Sequence, residues 1–310
     1  MNESILSTSD SLVEVHGLGH TYLRGTPLAQ ESLRSVDLTV ERGQTVVLVG
    51  ATGSGKSTLL QHLNGLLRPQ RGQVRVLGHD LSDPAADLRA IRRAVGLVFQ
   101  RPGDQLFEHF VGDDVAFAPR QMGLRGAELR ERVRWAMEWA GLDFQQYKDR
   151  PVFALSGGER RQVGLAGVLA LKPRILLLDE PTAGLDPVAR DELLVQLQTL
   201  HAEGLTLIVA THNMDDVAAL ADQVYVLTQG QVALSGATRA VFAEVDRLRD
   251  LGLDVPFAAS LMAALRAHGL DVPLDVLTLA EAEAAILAHF GRGSDERLDK
   301  IALGLFSGES

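Results

Sequence analysis

Apolar positions along this chain follow two alternating periods, and the switches between them lay out its architecture. TVVLVG at 45–50 and ILLL at 175–178 are short, continuous apolar runs. Such runs predict strands buried on both faces of a parallel or mixed sheet. The same signal recurs in VRVL (74–77), VGLVF (95–99), LTLIVA (205–210) and VYVL (224–227), with shorter strand-like segments at 12–15 and 36–40. Helical spacing occupies the stretches between. One helix is predicted from Ser57 to about Leu66, where Pro69 and Gly72 close the region, and another over about 188–202.

From about 113 to 170 the pattern is helical throughout. Leu129, Val133, Ala136, Met137 and Ala140 recur at intervals of three and four, and Glu128 and Arg132 are spaced to pair on the outer face. Trp135 and Trp139, four apart on that helix, are expected to pack. The sum is an α/β fold: a mixed sheet core with an inserted helical subdomain, occupying residues 12–237 after a loose polar tail at 1–11. Residues 238–310 read as a small helical appendage. Its first helix carries Phe257, Leu261 and Leu265 and stops at Gly269; its second opens on a capping box, Thr278 to Glu281, and presents Leu279, Ala282, Ile286 and Phe290. These stripes either dock on the body or meet a partner. IALGLF at 301–306 is a further short hydrophobic segment.

Composition narrows the function classes. With 310 residues and 46% hydrophobic content the chain can bury a substantial core. Forty acidic against 30 basic side chains give a net charge of -10, with no Lys/Arg block, which argues against a nucleic-acid partner. The absence of cysteine excludes disulfides, thiolate metal sites and thiol nucleophiles. The N-terminus lacks the pattern of a secretion signal, and no apolar run approaches 18 residues, so work at a membrane would require another component to hold the chain there.

Candidate chemistry begins where the strand 45–50 ends. Gly50-Ala51-Thr52-Gly53-Ser54-Gly55-Lys56-Ser57 matches GxxxxGK[ST] at every fixed position. Glycines let the backbone turn its N–H groups toward phosphates, and a helix starting near Ser57 and Thr58 points its positive end at them. Lys56 is expected to bridge the β- and γ-phosphates of ATP, and Ser57 to hold Mg²⁺. A second strand delivers Asp179 and Glu180 at its carboxyl end. Asp179 is expected to hold Mg²⁺ through a water, and Glu180 to polarise the attacking water.

Leu155-Ser156-Gly157-Gly158-Glu159-Arg160-Arg161-Gln162, upstream of a helix, resembles the signature of the ABC ATPase family. That resemblance implies a P-loop NTPase of ABC type working head to tail, in which Ser156, Gly157 and Gly158 of one subunit meet the γ-phosphate held by Lys56 of the other. It also implies that Gln100 is the Q-loop glutamine sensing Mg²⁺, His212 the switch histidine, Asp186 the D-loop aspartate coupling the two sites, and Tyr22 the aromatic stacked on adenine. All these motifs are intact, so an active ATPase is expected.

The segment Gln100 to Phe107, together with Asp114-Val115-Ala116-Phe117-Ala118-Pro119, resembles the ATPases of energy-coupling factor transporters. GTPLAQ (25–30), QHLNGLL (61–67), LAGVLAL (165–171) and GLDVP (252–256) resemble the second of their two paralogues. This implies import of a vitamin or transition-metal ion from the cytoplasmic side of the cell membrane. The implied partners are a related ATPase or a second copy, a transmembrane coupling subunit and a small substrate-binding membrane subunit. Gln105, Leu106 and Phe107 are the expected coupling contact, and the appendage resembles one that helps such ATPases dimerise. Alternatives are the ATPase of another ABC transport system, a soluble ABC ATPase acting on nucleic acid or ribosomes, or an ATP sensor without useful turnover. The second lacks the expected coiled-coil insertion, second cassette and basic surface, and the third is opposed by intact Glu180 and His212.

Overall fold

A computed structural model describes residues 11–101 and 105–290. The chain divides into two compact units, Met1–Gly236 and Ala237–Ser310. In the first, β1 (Ser11–Tyr22), β2 (Gln30–Glu41) and β3 (Thr45–Val49) precede α1 (Lys56–Leu63). Next come β4 (Arg71–Val76), β5 (His79–Asp80), α2 (Leu88–Ala94) and β6 (Val95–Val98). The helices α3 (Val111–Gln121), α4 (Gly126–Trp139), α5 (Phe144–Tyr147) and α6 (Gly157–Leu169) follow. The chain then returns to β7 (Ile175–Asp179), α7 (Pro187–Ala202), β8 (Thr206–Thr211), α8 (Met214–Leu220), β9 (Gln223–Thr228) and β10 (Gln231–Ala237).

A six-stranded sheet in the order β10-β9-β3-β8-β7-β6 forms the centre. Its β3, β6, β7, β8 and β9 run parallel, and every residue of β3, β7 and β8 is buried. That explains the continuous apolar runs: neither face meets water. Parallel pairing also brings the carboxyl ends of β3, β7 and β8 to one edge, where Gly50, Glu180 and His212 follow. A second, antiparallel sheet in the order β2-β1-β4-β5 shares one core cluster with the first, in which Val15, Leu38 and Val74 join Leu48 and Ile208 of the first sheet and Leu59 of α1.

β1 and β2 are each 12 residues long, far beyond the short segments expected at 12–15 and 36–40. Register shifts between Val15, Leu18, His20 and Thr21 break the two-residue alternation, so the strand's second half has no readable period. At the first shift Gly17 has φ 59 and its N–H donates to Asp37 Oδ1 at 2.9 Å. The bulged stretch carries the strand on to Tyr22 at its end.

In the helical subdomain α3, α4 and α6 pack on one another, with Val133, Ala136, Met137 and Ala140 buried. The expected pairing of Glu128 with Arg132 is replaced: Arg132 Nη1 donates to the Ala170 carbonyl at 2.9 Å, capping the end of α6. Trp135 and Trp139 do pack, with ring centroids 6.4 Å apart.

The second unit contains α9 (Thr238–Ala243), α10 (Val245–Asp250), α11 (Phe257–Ala267) and α12 (Leu279–Phe290). Its core keeps part of the expected stripes: Ala282 is buried in it and Leu265 and Ile286 pack against it. Ala258, Met262, Val272, Val276 and Ala282 are buried, whereas Phe257 and Leu279 are 63% and 61% exposed. Both residues occupy the first position of their helices. The capping box is also altered. Thr278 Oγ1 accepts the Glu281 N–H, but the Glu281 carboxylate takes the Leu277 N–H and pairs with Arg239 at 2.7 Å. The segment 301–306 lies outside the described residues.

Candidate active site

The phosphate-binding loop joins β3 to α1 as a strand-to-helix turn built on glycine. A Cβ at Gly50 would lie 2.2 Å from the Leu227 carbonyl and 2.6 Å from Ser54 Oγ. Gly55 has φ 107 and stands at the N-cap of α1, where no side chain caps the helix. Its first-turn N–H groups therefore remain available to an anion. The loop borders a cleft of about 220 Å³ lined by Tyr22, Thr52, Gly53, Lys56, Ser57, Gln100, Asp179 and Glu180, among others.

Lys56 is almost fully buried, and burial lowers its pKa, opposed by the charges of Glu180 and Asp179. Its ammonium donates to the Gly50 carbonyl at 2.6 Å and the Ala51 carbonyl at 3.3 Å, with Glu180 Oε1 at 3.8 Å. Asp179 has its pKa raised by burial, against the opposing hydrogen bond from Ser57. Asp179 Oδ1 is buried without a hydrogen-bond partner. A carboxylate oxygen left bare beside a hydroxyl is an all-oxygen donor set suited to a hard cation such as Mg²⁺, which retains several waters. Gln100, exposed after β6, lines the same cleft.

Glu180 follows β7 with φ 49, a left-handed conformation uncommon for this residue type. Its backbone N–H donates to Ala210 at 2.8 Å, holding it against β8. His212, just past β8, places Nδ1 2.8 Å from Glu180 Oε2. The ring thus fixes one carboxylate oxygen while the other faces Lys56. Tyr22 is partly exposed at the end of β1, and its hydroxyl lies 3.2 Å from Thr58 Oγ1, which also meets Ser32 Oγ at 2.8 Å. Thr58 is therefore engaged beneath the loop, and its hydroxyl serves to fix Tyr22 and α1.

The signature segment lies elsewhere. Ser156, Gly157 and Gly158 are exposed at the start of α6, and none of them lines the phosphate cleft. A Cβ at Gly157 or Gly158 would meet nothing within 4 Å, so packing inside this subunit does not require glycine there. Glu159 completes a capping box with Ser156 and receives the Tyr147 hydroxyl at 2.9 Å and Arg150 at 2.7 Å. The Ser156 N–H, with these two partners, holds its pKa at about 2. Its carboxylate is fully engaged, so Glu159 shapes the helix start. Asp186 likewise caps α7 by accepting from Val188 and Ala189.

Two arrangements had no signal in the sequence. The Gln105 amide, expected on a docking surface, turns inward, accepting from Phe99 N–H at 2.9 Å and donating to Leu97 at 3.0 Å. Phe107 does stand exposed, edge-on to Phe117 at 4.6 Å between centroids; Pro102, Gly103 and Asp104 lie outside the described residues. Asp216 on α8 binds both Thr182 and Arg190, residues 34 and 26 positions away. Contacts over such separations depend on the fold alone.

Residues 33–183 match the family model described as ABC transporter. The chain is 50% identical over 269 residues to the energy-coupling factor transporter ATP-binding protein EcfA2 of Symbiobacterium thermophilum, covering 87% of this chain and 93% of that protein. It is 44% identical to the protein of the same name from Clostridium perfringens, covering 89% and 97%. Among solved structures it resembles cbiO1 from Clostridium perfringens, part of the ABC transporter complex cbiONQ, with TM-score 0.68 and 36% identity over 78% of this chain and 95% of that one. It also resembles a dimeric ATP-binding cassette in a post-hydrolysis state with ADP and Pi, with TM-score 0.67 and 28% identity over 73% and 98%. On these likenesses the chain belongs to the ABC transporter family, as an ATPase subunit of the energy-coupling factor type whose hydrolysis of ATP energises uptake.

Proposed function

We propose that this ATPase works as a sandwich dimer, with itself or a related ATPase, in which each ATP lies between the Lys56 loop of one subunit and Ser156-Gly157-Gly158 of the other. The observation that carries this reading is the open, glycine-lined start of α6: two glycines with no packing reason in this subunit to be glycine, outside the lining of its own phosphate cleft. On ATP binding the Lys56 ammonium exchanges the Gly50 and Ala51 carbonyls for β- and γ-phosphate oxygens. Ser57 and Asp179, with Gln100 beside them, would hold Mg²⁺, which supplies charge neutralisation on those phosphates when bound. Tyr22 offers a face for adenine.

Glu180 accepts a hydrogen bond from the water that attacks the γ-phosphate, and His212 keeps that carboxylate oriented while facing the phosphate. Phosphate transfer needs little covalent help from protein, so holding these groups in place is most of the catalysis. Hydrolysis then loosens the interface that ATP had closed.

No helix among the described residues is long and apolar enough to cross a membrane. We assign the chain to the cytoplasmic face of the cell membrane, held there by a transmembrane coupling subunit that docks near Phe107 and Phe117 and serves a small substrate-binding membrane subunit. The substrate class carried by the resemblance is a vitamin or transition-metal ion. The exposed Phe257 and Leu279 of the second unit suit a role in dimerisation. A tagged pull-down from gently solubilised native membranes tests the assembly. Recovery of a related ATPase with membrane subunits supports it, and recovery of soluble ribosomal or DNA-repair partners would overturn it.

A further inference from the structure

Asp216 is 1% exposed on α8, four residues beyond His212. Removing a carboxylate from water is costly unless both oxygens find partners. Here they are divided between two other elements. Oδ2 accepts the hydroxyl of Thr182, itself buried. Oδ1 receives Arg190 Nε at 2.7 Å and Nη2 at 2.6 Å.

Each of the three joined elements carries a residue of the ATP chemistry. Thr182 stands two positions after Glu180 in a turn closed by Ala183 N–H to the Glu180 carbonyl at 3.2 Å. The turn continues by Leu185 N–H to the Thr182 carbonyl at 3.2 Å and leads into Asp186. Arg190 lies in the first turn of α7, its N–H donating to the Asp186 carbonyl at 2.9 Å. The Asp216 N–H is held at 3.3 Å by Asn213 Oδ1, next to His212. Because Glu180 has φ 49, its position depends on surroundings that keep this turn in shape.

We infer that Asp216 is a positioning residue for hydrolysis. Its carboxylate fastens the Glu180 turn, the Asp186 end of α7 and the His212 turn into one unit. Thr182 is the link to the glutamate and Arg190 the link to Asp186, so a contact made by a partner subunit at Asp186 reaches the Glu180–His212 pair. The inference rests on the assignment of Glu180 and His212 to the hydrolytic step.

The test measures ATP turnover of the full-length chain as kcat and KM, alongside thermal unfolding, for Asp216→Asn, Thr182→Val, Arg190→Lys and the Thr182→Val/Arg190→Lys double variant. Thr182→Val removes one hydrogen bond and leaves the ion pair, so it keeps the test open if Asp216→Asn fails to fold. Each folded single variant should lose about 10- to 100-fold in kcat with KM for ATP changed less than about twofold, the signature of misplaced reacting groups. The double variant should fall no further than the worse single, because both links act through one carboxylate. Thr182→Ser, which restores the hydroxyl, should turn over like the wild type. Unchanged kcat in folded Thr182→Val, KM rising in step with the loss, or multiplicative losses in the double variant would overturn the inference. Glu180→Gln is the reference: if it is inert while Thr182→Val is fully active, Asp216 alone has been misassigned. If Glu180→Gln retains turnover, the hydrolytic role of Glu180 is what fails.

Discussion

His212 Nδ1 stands 2.8 Å from Glu180 Oε2, and this one contact joins a side chain two-thirds exposed to one nearly buried. The two residues are 32 positions apart and follow neighbouring parallel strands, β7 and β8. The histidine stays largely open to solvent, while the other oxygen of the glutamate faces Lys56 at 3.8 Å.

Replacing Glu180 by Gln keeps the shape and removes the negative charge that draws a proton from water. We predict a loss of about 10²- to 10⁴-fold in kcat with ATP binding retained. Phosphate-release kinetics alongside equilibrium ATP binding check this. An ATP-bound dimer that outlasts the wild-type dimer in light scattering is the companion result. Turnover above a tenth of wild type would reject the assignment.

Gly158→Ala separates the needs of one subunit from those of the dimer. The new methyl meets no atom within 4 Å in the subunit, and Ala is better than Gly within a helix. Thermal unfolding should therefore be unchanged or raised, by about 0.5–1 kcal/mol in stability. ATP hydrolysis should fall at the same time, because the phosphate and the facing loop must approach this backbone closely. A stable variant with full activity would remove the main support for the sandwich.

At Gly50 the same substitution has the opposite effect on folding. The Cβ would press on the Leu227 carbonyl at 2.2 Å, and φ is 156. We expect Gly50→Ala to lose about 1–3 kcal/mol or more in denaturant unfolding, since backbone on both sides must shift. Wild-type stability in that variant would show that the loop has room the structure denies.

Buried His62 makes stability depend on pH. Its Nδ1–H donates to the Thr58 carbonyl at 2.7 Å, the ring meets His20 edge-on at 4.8 Å, and burial, the largest cause, lowers its pKa to about 4. The folded state therefore binds a proton less readily than the unfolded chain, whose histidine titrates near 6.5. Stability from this group is fully present above about pH 6.5 and is lost as pH falls toward 4, by about 3 kcal/mol at most. Urea unfolding at pH 7 and pH 5 should show about 2 kcal/mol of that loss in the wild type and a flatter dependence in His62→Phe. Equal slopes in the two proteins would refute the assignment to His62.

The phosphate loop, the acid pair after β7 and the signature were legible because each is a contiguous run. A strand that buries both faces, a glycine turn and a helix start suffice to aim backbone N–H groups at phosphate, and neighbouring residues encode all three. In the second unit periodicity located α11 and α12 and the core residues Leu265, Ala282 and Ile286, but Phe257 and Leu279 are exposed, and Val272 and Val276 enter the core from the connection between the helices, which has no helical period. The second half of β1 was hidden for a related reason, since its register shifts erase the alternation on which strand reading depends.

The sequence by itself determined the ATPase class of this protein and where along the chain the candidate groups for ATP and water stand, because each motif is a contiguous run. Only the tertiary structure decided that Ser156, Gly157 and Gly158 stand outside the lining of the cleft at Lys56, that Gln105 turns inward, and that Asp216 joins Thr182 to Arg190. The physical reason is range. Hydrogen bonds between consecutive residues follow from local backbone geometry, whereas a carboxylate that reaches 26 and 34 positions along the chain finds its partners only after strand order and helix packing have placed them.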